Sequence, residues 1–283
     1  MDNCFNCGLP KPLQQSHIIP EFFYKYVYTP DHKFVLVSEN NENKTKIEQK
    51  GFRDELFCHD CEELLSVKEK ITSDFFKNII SGNYSELKAT EIASNILLIE
   101  NYNYNEIKKC LLSILWRASI SGREEFSNYN LGPYNKIVQD LIFSNDIIPW
   151  YKFPIHISKV KYGDMYSSDL LLAHKKGKYK DLHLYSITLA GFNIDYYITE
   201  DFLDKSMEVY FLNEKYCGIT EISIEELKLN NSLISRFNDS DITSFYEKHK
   251  YHVKKASKLS PVCQWVSPSL PGKAFRQVTP LLF

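Results

Sequence analysis

The chain has 283 residues, 43% hydrophobic and 14% aromatic, enough apolar side chain for one large domain or a small one joined to a larger one. No stretch approaches the run of about 20 apolar residues that crosses a bilayer, and the opening MDNCFNCG lacks the charged-then-apolar pattern of a secretion signal, so a soluble, cytoplasmic protein is expected. The formal charge of -2 removes the easiest argument for nucleic-acid binding, and no general electrostatic grip on DNA is visible in residues 1–80, where 13 Asp and Glu outnumber 10 Lys and Arg.

Four of the seven cysteines fall into two Cys-x-x-Cys pairs, Cys4/Cys7 and Cys58/Cys61. An odd cysteine count without a secretion signal points away from a disulfide framework and towards metal or buried thiols. Two knuckles of equal spacing supply four thiolates for a tetrahedral zinc site, and the 50 residues between them must hold structure of their own. Next, LLSVKEKITSDFFKNII places Leu64, Val67, Ile71, Phe75 and Ile79 at helical spacing. A second helix is expected over Ser85–Glu100, with Ser85 as N-cap. A third, NEIKKCLLSILWRAS, carries Ile107, Cys110, Leu111, Ile114, Leu115 and Ala118 on one face and stops near Gly122. GPYNKIVQDLIF is the fourth, with Pro133 in its first turn. In this third helix Trp116 is expected in the core and Arg117 in an ion pair or interface.

Beyond SNDIIPWYKFP the texture changes to short runs rich in Ile, Val, Tyr and Leu, which predicts a mostly antiparallel sheet with a hairpin near Lys175–Lys178. Helix signals return from about Ser223, and the tail past Leu259 holds four prolines. Two basic clusters, HKKGKYK (His174–Lys180) and KHKYHVKKASK (Lys248–Lys258), are expected as a solvated hairpin tip and a charged helix end.

The order CFNC, SHIIP, LFCHDCE over residues 4–62 resembles the zinc-knuckle HNH endonucleases of the His-Me finger superfamily, a ββα-metal fold. The resemblance covers about a fifth of the chain. It implies a one-metal phosphodiester hydrolysis in which His17 is the general base and a divalent ion, magnesium or manganese, neutralises charge on the phosphate. The family's metal ligands precede this histidine and follow the last cysteine; those positions hold Ser16 and Glu62 here. Glu62 is a reasonable hard-oxygen ligand, Ser16 a weak one. The family's Asn is replaced by Arg53, with Asp54 beside it as a substitute ligand, and Glu69, two helical turns beyond Glu62, is a further candidate. Outside the knuckle context a lone histidine among apolar neighbours is a structural residue, and Glu62 a first-turn carboxylate on a helix dipole.

The expected fold is α+β: an HNH-like module over 1–80, a helical region over 81–148, and an α+β region over 149–283 whose sheet is mostly antiparallel. The first functional expectation is a metal-dependent endonuclease on DNA, with a controlling protein partner or homo-oligomer and, by resemblance alone, a role in bacterial defence against phage or plasmids. The second is a degenerate HNH fold kept as a zinc-stabilised module that binds nucleic acid or protein. The third, an enzyme whose site lies in the C-terminal sheet, has little behind it. Residues 150–230 show no phosphate loop, nucleophile elbow or close His–carboxylate motif, and His156, His174 and His183 are scattered.

Overall fold

The computed structural model describes residues 2–29, 31–36, 46–162, 165–166, 172–173 and 177–227. Strand β1 (Leu13–His17) leads through Pro20 into a single turn, α1 (Glu21–Tyr24), and a short hairpin of β2 (Phe34–Leu36) and β3 (Lys46–Glu48). Strand β4 (Arg53–Cys58) returns antiparallel along β1, with Ser16 opposite Asp54 and His17 opposite Arg53. It runs without a break into α2 (His59–Ser81), so Cys58 is both the last strand residue and the helix N-cap, and Cys61 lies in the first turn.

The buried stripe of α2 is Cys61, Leu65, Thr72, Phe75, Phe76 and Ile79, whereas Leu64 and Val67 are 53% and 60% exposed. The apolar residues of this helix fit two stripes about one residue apart, and the fixed position of Cys61 selects the one containing Leu65.

The segment expected as a helix over Ser85–Glu100 is instead a hairpin of β5 (Lys88–Ala93) and β6 (Ile96–Glu100), turning at Ser94 and Asn95. The Ser-Asn pair is turn chemistry, and pairing with a distant strand buries Ile99, so tertiary contact overrides helix propensity here. Helices α3 (Tyr104–Ile120) and α4 (Tyr134–Phe143) stand where the periodicity places them. The Asn103 side chain caps α3 by accepting from the Glu106 N–H, and α3 is buried on every side from Ile107 to Ala118. Three cations are buried with it. The Lys108 ammonium donates to Tyr104 Oη and to the carbonyls of Pro149 and Trp150, the Lys109 ammonium to the Ser144 carbonyl, and Arg117 joins the site described below.

The remaining strands are β7 (Ile155–Tyr162), β8 (Met165–Tyr166), β9 (Leu172–Ala173), β10 (Gly177–Tyr179), β11 (Leu182–Leu189), β12 (Phe192–Ile198) and β13 (Cys217–Ser223). Their sheet runs β10-β11-β12-β7-β13-β6-β5, with β8 added to β7 and β9 to β11; β13 and β7 are parallel and the other described pairs antiparallel. The fold is therefore mixed α+β, with helices in the middle of the chain and a sheet that recruits β5 and β6 from before them.

Strand alternation gives this sheet one apolar face, with Ile155, Ile157, Ile187, Ile194 and Tyr196 buried. Tyr196 Oη donates to the Leu111 carbonyl of α3, and the Phe192 ring meets Phe76 of α2 edge-on at 5.0 Å. Thus α2 carries a knuckle cysteine at one end and packs on the sheet at the other. No helix among the described residues is long and apolar enough to cross a membrane. The turn at 174–176, the helix signals beyond Leu227, the cluster Lys248–Lys258 and the proline-rich tail lie outside the described residues.

Candidate functional site

The first knuckle is a tight loop. The Cys4 N–H donates to the Leu9 carbonyl at 3.0 Å and the Gly8 N–H to the Cys4 carbonyl at 2.8 Å, with Gly8 at φ +70°, a conformation glycine adopts without strain. The Phe5 N–H donates to the Leu56 carbonyl and docks this loop on β4. As a result the ligand atoms of Cys4, Cys7, Cys58 and Cys61 all lie within 4.8 Å of one another, and the Sγ atoms of Cys7 and Cys58 are 3.9 Å apart. Tetrahedral Zn–S bonds of about 2.3 Å place sulfurs about 3.8 Å apart, so the cluster fits a structural metal such as zinc.

Donors already point at the sulfurs: the Cys58 N–H at Cys4 Sγ (3.4 Å) and the Asn6 amide at Cys61 Sγ (3.2 Å). Burial opposes ionisation of Cys4, but the backbone donors of Cys58, Cys7 and Asn6 outweigh it and bring the thiol down to about 7. Burial and the neighbouring thiols push Cys61 up to about 12. The Cys4 thiolate therefore forms readily, whereas Cys61 needs a cation to ionise. His59, between the cysteines, points to solvent and meets Glu63 at 3.3 Å. Among the described residues this is the one cluster of three or more His, Cys, Asp or Glu groups close enough to share an ion.

His17 ends β1, three-quarters buried, with Nε2 2.8 Å from Glu21 Oε2 though out of line for a hydrogen bond. Glu21, four residues on at the start of α1, was missed in the sequence; the i,i+4 spacing in HIIPE was the available signal. Its carboxylate favours the proton on Nε2 and leaves Nδ1 as the basic nitrogen. Burial, with the charge of Arg53, pushes His17 below its ordinary value, and Glu21 and Glu69 pull only partly against it.

The candidate ligands separate. Ser16 is buried, its hydroxyl donating to the Gln14 carbonyl (3.4 Å) and accepting from the Phe57 N–H (3.2 Å). Asp54 is committed through both oxygens: Oδ2 accepts from Ser121 Oγ (2.9 Å) and the Gly122 N–H (2.8 Å), closing the end of α3 onto β4, and Oδ1 accepts from the Glu55 N–H (2.9 Å). Glu69 Oε1 is held at 2.8 Å by Arg117. Glu62 Oε1 is buried and has no hydrogen-bond partner among the described residues. Burial raises its carboxyl above the ordinary value, against the Ser16 hydroxyl and the Arg117 charge.

Arg117 joins these parts. Fully buried, it donates through Nη1 to both the His17 carbonyl and Glu69 Oε1, through Nε to the Ser113 carbonyl and through Nη2 to Ser113 Oγ. The expectations of an ion-paired Arg117 and a core Trp116 describe what is found, the Trp116 ring being stacked 5.3 Å from Phe57.

In the C-terminal sheet, cross-strand register assembles a polar row that spacing in sequence conceals. His156 Nε2 is 3.0 Å from Thr220 Oγ1, His156 Nδ1 is 3.6 Å from Asp195 Oδ2, and Ser186 and Asn193 donate to Asp195 Oδ1. Burial opposes the Asp195 charge, but His156, Ser186 and Asn193 outweigh it and hold the carboxyl below its usual range. Thr220 lies between two paired strands, and the adjacent Glu221 N–H is bonded to the Asn95 carbonyl, so the ladder leaves no backbone donors for an oxyanion. This row is a polar seam of the sheet. No protein-family model, curated protein or solved structure matches the chain.

Proposed function

We propose that the chain is a metal-dependent endonuclease of HNH type that hydrolyses phosphodiester bonds in DNA. The observation that carries this reading is the β1–β4–α2 unit: an antiparallel ribbon feeding a helix at a four-cysteine cluster, with a carboxylate-backed His17 at the strand end. A divalent ion, when bound, would neutralise charge on the phosphate and the leaving oxygen. Glu62 Oε1 offers an uncommitted carboxylate oxygen for a magnesium-type ion, which characteristically takes one or two carboxylates and completes its shell with water and substrate phosphate. His17 Nδ1 takes the proton of the attacking water, Glu21 places a carboxylate charge 2.8 Å from its other nitrogen, and Arg117 fixes the backbone of the same residue.

The test is incubation of wild type and His17→Ala with supercoiled plasmid and single-stranded DNA, with magnesium, manganese or a chelator. Nicking by the wild type is expected to need metal and to fall about 10²–10⁴-fold in His17→Ala, the usual contribution of a general base. Metal-independent cleavage, or full activity without His17, would refute the assignment.

The pH profile gives a second prediction. Because the folded His17 pKa lies below about 6.5, cleavage should be flat from neutral pH upwards and fall tenfold per unit once the pH drops through the imidazole's titration. The stability sign is the same: a lowered histidine pKa contributes stability above the unfolded value, and that contribution is lost as pH falls. A profile that peaks in acid would exclude a neutral-imidazole base.

A second reading follows from the structural commitments of Ser16 and Asp54: an inactive HNH fold serving as a zinc-stabilised binding module for nucleic acid or protein. DNA binding without cleavage in any metal, by a chain carrying its zinc, favours it. A regulatory protein partner or homo-oligomer belongs to the first reading, as a means of completing the site.

A further inference from the structure

The hydrolysis just described makes no use of a cleft on the hairpin side of β4. This open-sided cleft, about 240 Å³, is walled by Gln15, Glu48, Lys50, Phe52, Arg53 and, from the segment after α3, Arg123. Three cations thus face one carboxylate, in a module whose overall balance is acidic.

Its floor is rigid. The Gly51 N–H donates to Tyr28 Oη at 3.1 Å and the Phe52 N–H to Tyr24 Oη at 2.8 Å. A Cβ at Gly51 would sit 2.4 Å from the buried Tyr24 ring, so the backbone is packed directly against an aromatic face. Arg123 lies 5.2 Å over the Phe52 ring, is gripped by both oxygens of Glu125 (3.1 and 3.0 Å) and donates weakly to the Arg53 carbonyl (3.4 Å). Arg53 is less committed: its Nε is buried with no hydrogen-bond partner among the described residues, and its nearest carboxylate contact, Glu21 Oε2, is 3.9 Å away. Lys50 is exposed.

The cleft also adjoins the proposed base. Arg53 stands directly opposite His17 in the β1–β4 register, and side chains so paired share a face with Cβ atoms about 5 Å apart.

We infer that the cleft is a phosphate cradle for a nucleic-acid backbone, with Arg53 and Lys50 as its binding cations and Arg123 as its fixed far wall. The choice of ligand rests on the phosphodiester reading above. A guanidinium fork matches phosphate oxygens two at a time, and the Arg53 side chain, a third exposed and held only by the 3.9 Å contact of its Nη2 with Glu21, is free to present that fork to the cleft. Contacts of this kind place a strand in register without reading its sequence. A phosphate held by Arg53 comes within reach of His17, so the same residue pair serves binding and chemistry.

The experiment reads binding apart from cleavage. Full-length His17→Ala carrying zinc is titrated against fluorescein-labelled single-stranded and duplex oligonucleotides over a salt series, alongside His17→Ala with Arg53→Gln, with Lys50→Gln, and with Lys136→Gln on α4 as a surface control. Arg53→Gln is expected to weaken binding about tenfold or more, and Arg53→Gln and Lys50→Gln each to reduce the log–log salt slope by about 1. Lys136→Gln should change neither, and zinc content and amide exchange should match across the set. Equal affinity and slope in Arg53→Gln and its parent overturn the cradle. A site that binds inorganic phosphate through Arg53 but neither oligonucleotide overturns its assignment to nucleic acid. A wild-type chain that binds DNA through Arg53 yet never cuts it removes the hydrolase reading and leaves the cradle standing.

Discussion

Replacing Cys58 by serine is expected to cost the chain its zinc and, with it, the fold of the N-terminal ribbon. Three of the four knuckle cysteines are among the most buried side chains of this region, Cys4 at 1%, Cys58 at 2% and Cys61 at 4% exposure, and Cys58 joins β4 to α2. A segment of some 60 residues is only marginally stable on its own apolar burial. Structural zinc supplies about 10–16 kcal/mol of apparent binding free energy in small folds of this kind. Purified wild type should therefore carry about one zinc per chain. In Cys58→Ser zinc should fall towards none, and amide protection in β1 and β4 should collapse while the C-terminal sheet keeps its own. Cys110→Ser is the matched control: Cys110 is fully buried, burial pushes its thiol up to about 12, and it stands outside the cluster, so zinc should be retained. A wild-type sample that is zinc-free yet fully protected in β1 and β4 would remove the basis for a metal centre.

The cysteine cluster was legible because ligand spacing is a local property. Two Cys-x-x-Cys pairs fix which atoms converge even when the intervening 50 residues are unknown. Helices α3 and α4 were legible for a related reason, since their apolar residues repeat within one element. Four features were not. The β5–β6 hairpin owes its strands to pairing with β13, more than 100 residues later, and no window around Ser85–Glu100 contains that partner. On α2 the expected Ile71, Phe75 and Ile79 do pack inward, but Leu64 and Val67 were misplaced because they satisfy helical spacing as well as Leu65 does; only the anchoring of Cys61 decides. The polar commitments of Ser16 and Asp54 depend on Phe57, Ser121 and Gly122, and the His156–Asp195–Thr220 row on three strands in register. Such contacts are long-range, so residue type alone makes Asp54 a candidate ligand when its oxygens are in fact closing a helix end.

Arg117→Met is expected to be the most damaging single change outside the knuckles. An exposed ion pair is worth about 0–1 kcal/mol, but removing one partner of a buried pair costs about 3–5 kcal/mol because the other charge is left behind. Arg117 is 0% exposed and its partner Glu69 24%, so a cost at the lower end, about 3 kcal/mol, is expected; the loss strips a donor from the Glu69 carboxylate, the Ser113 hydroxyl and the His17 carbonyl together. Urea unfolding should show this as a drop in midpoint with little change in slope. Arg117→Lys should recover only part, since an ammonium is a point charge and cannot span β1, α2 and α3 as the guanidinium fork does. Arg117→Met combined with Glu69→Met should regain stability relative to Arg117→Met alone, because the stranded carboxylate goes as well. Function divides these variants further. Arg117 holds the backbone of the proposed base without touching it chemically, so in Arg117→Lys kcat should fall, KM should hold, and the pH profile set by His17 should keep its shape. Stability within about 1 kcal/mol of wild type in Arg117→Met would show that the buried fork is not what fastens the ribbon to α3.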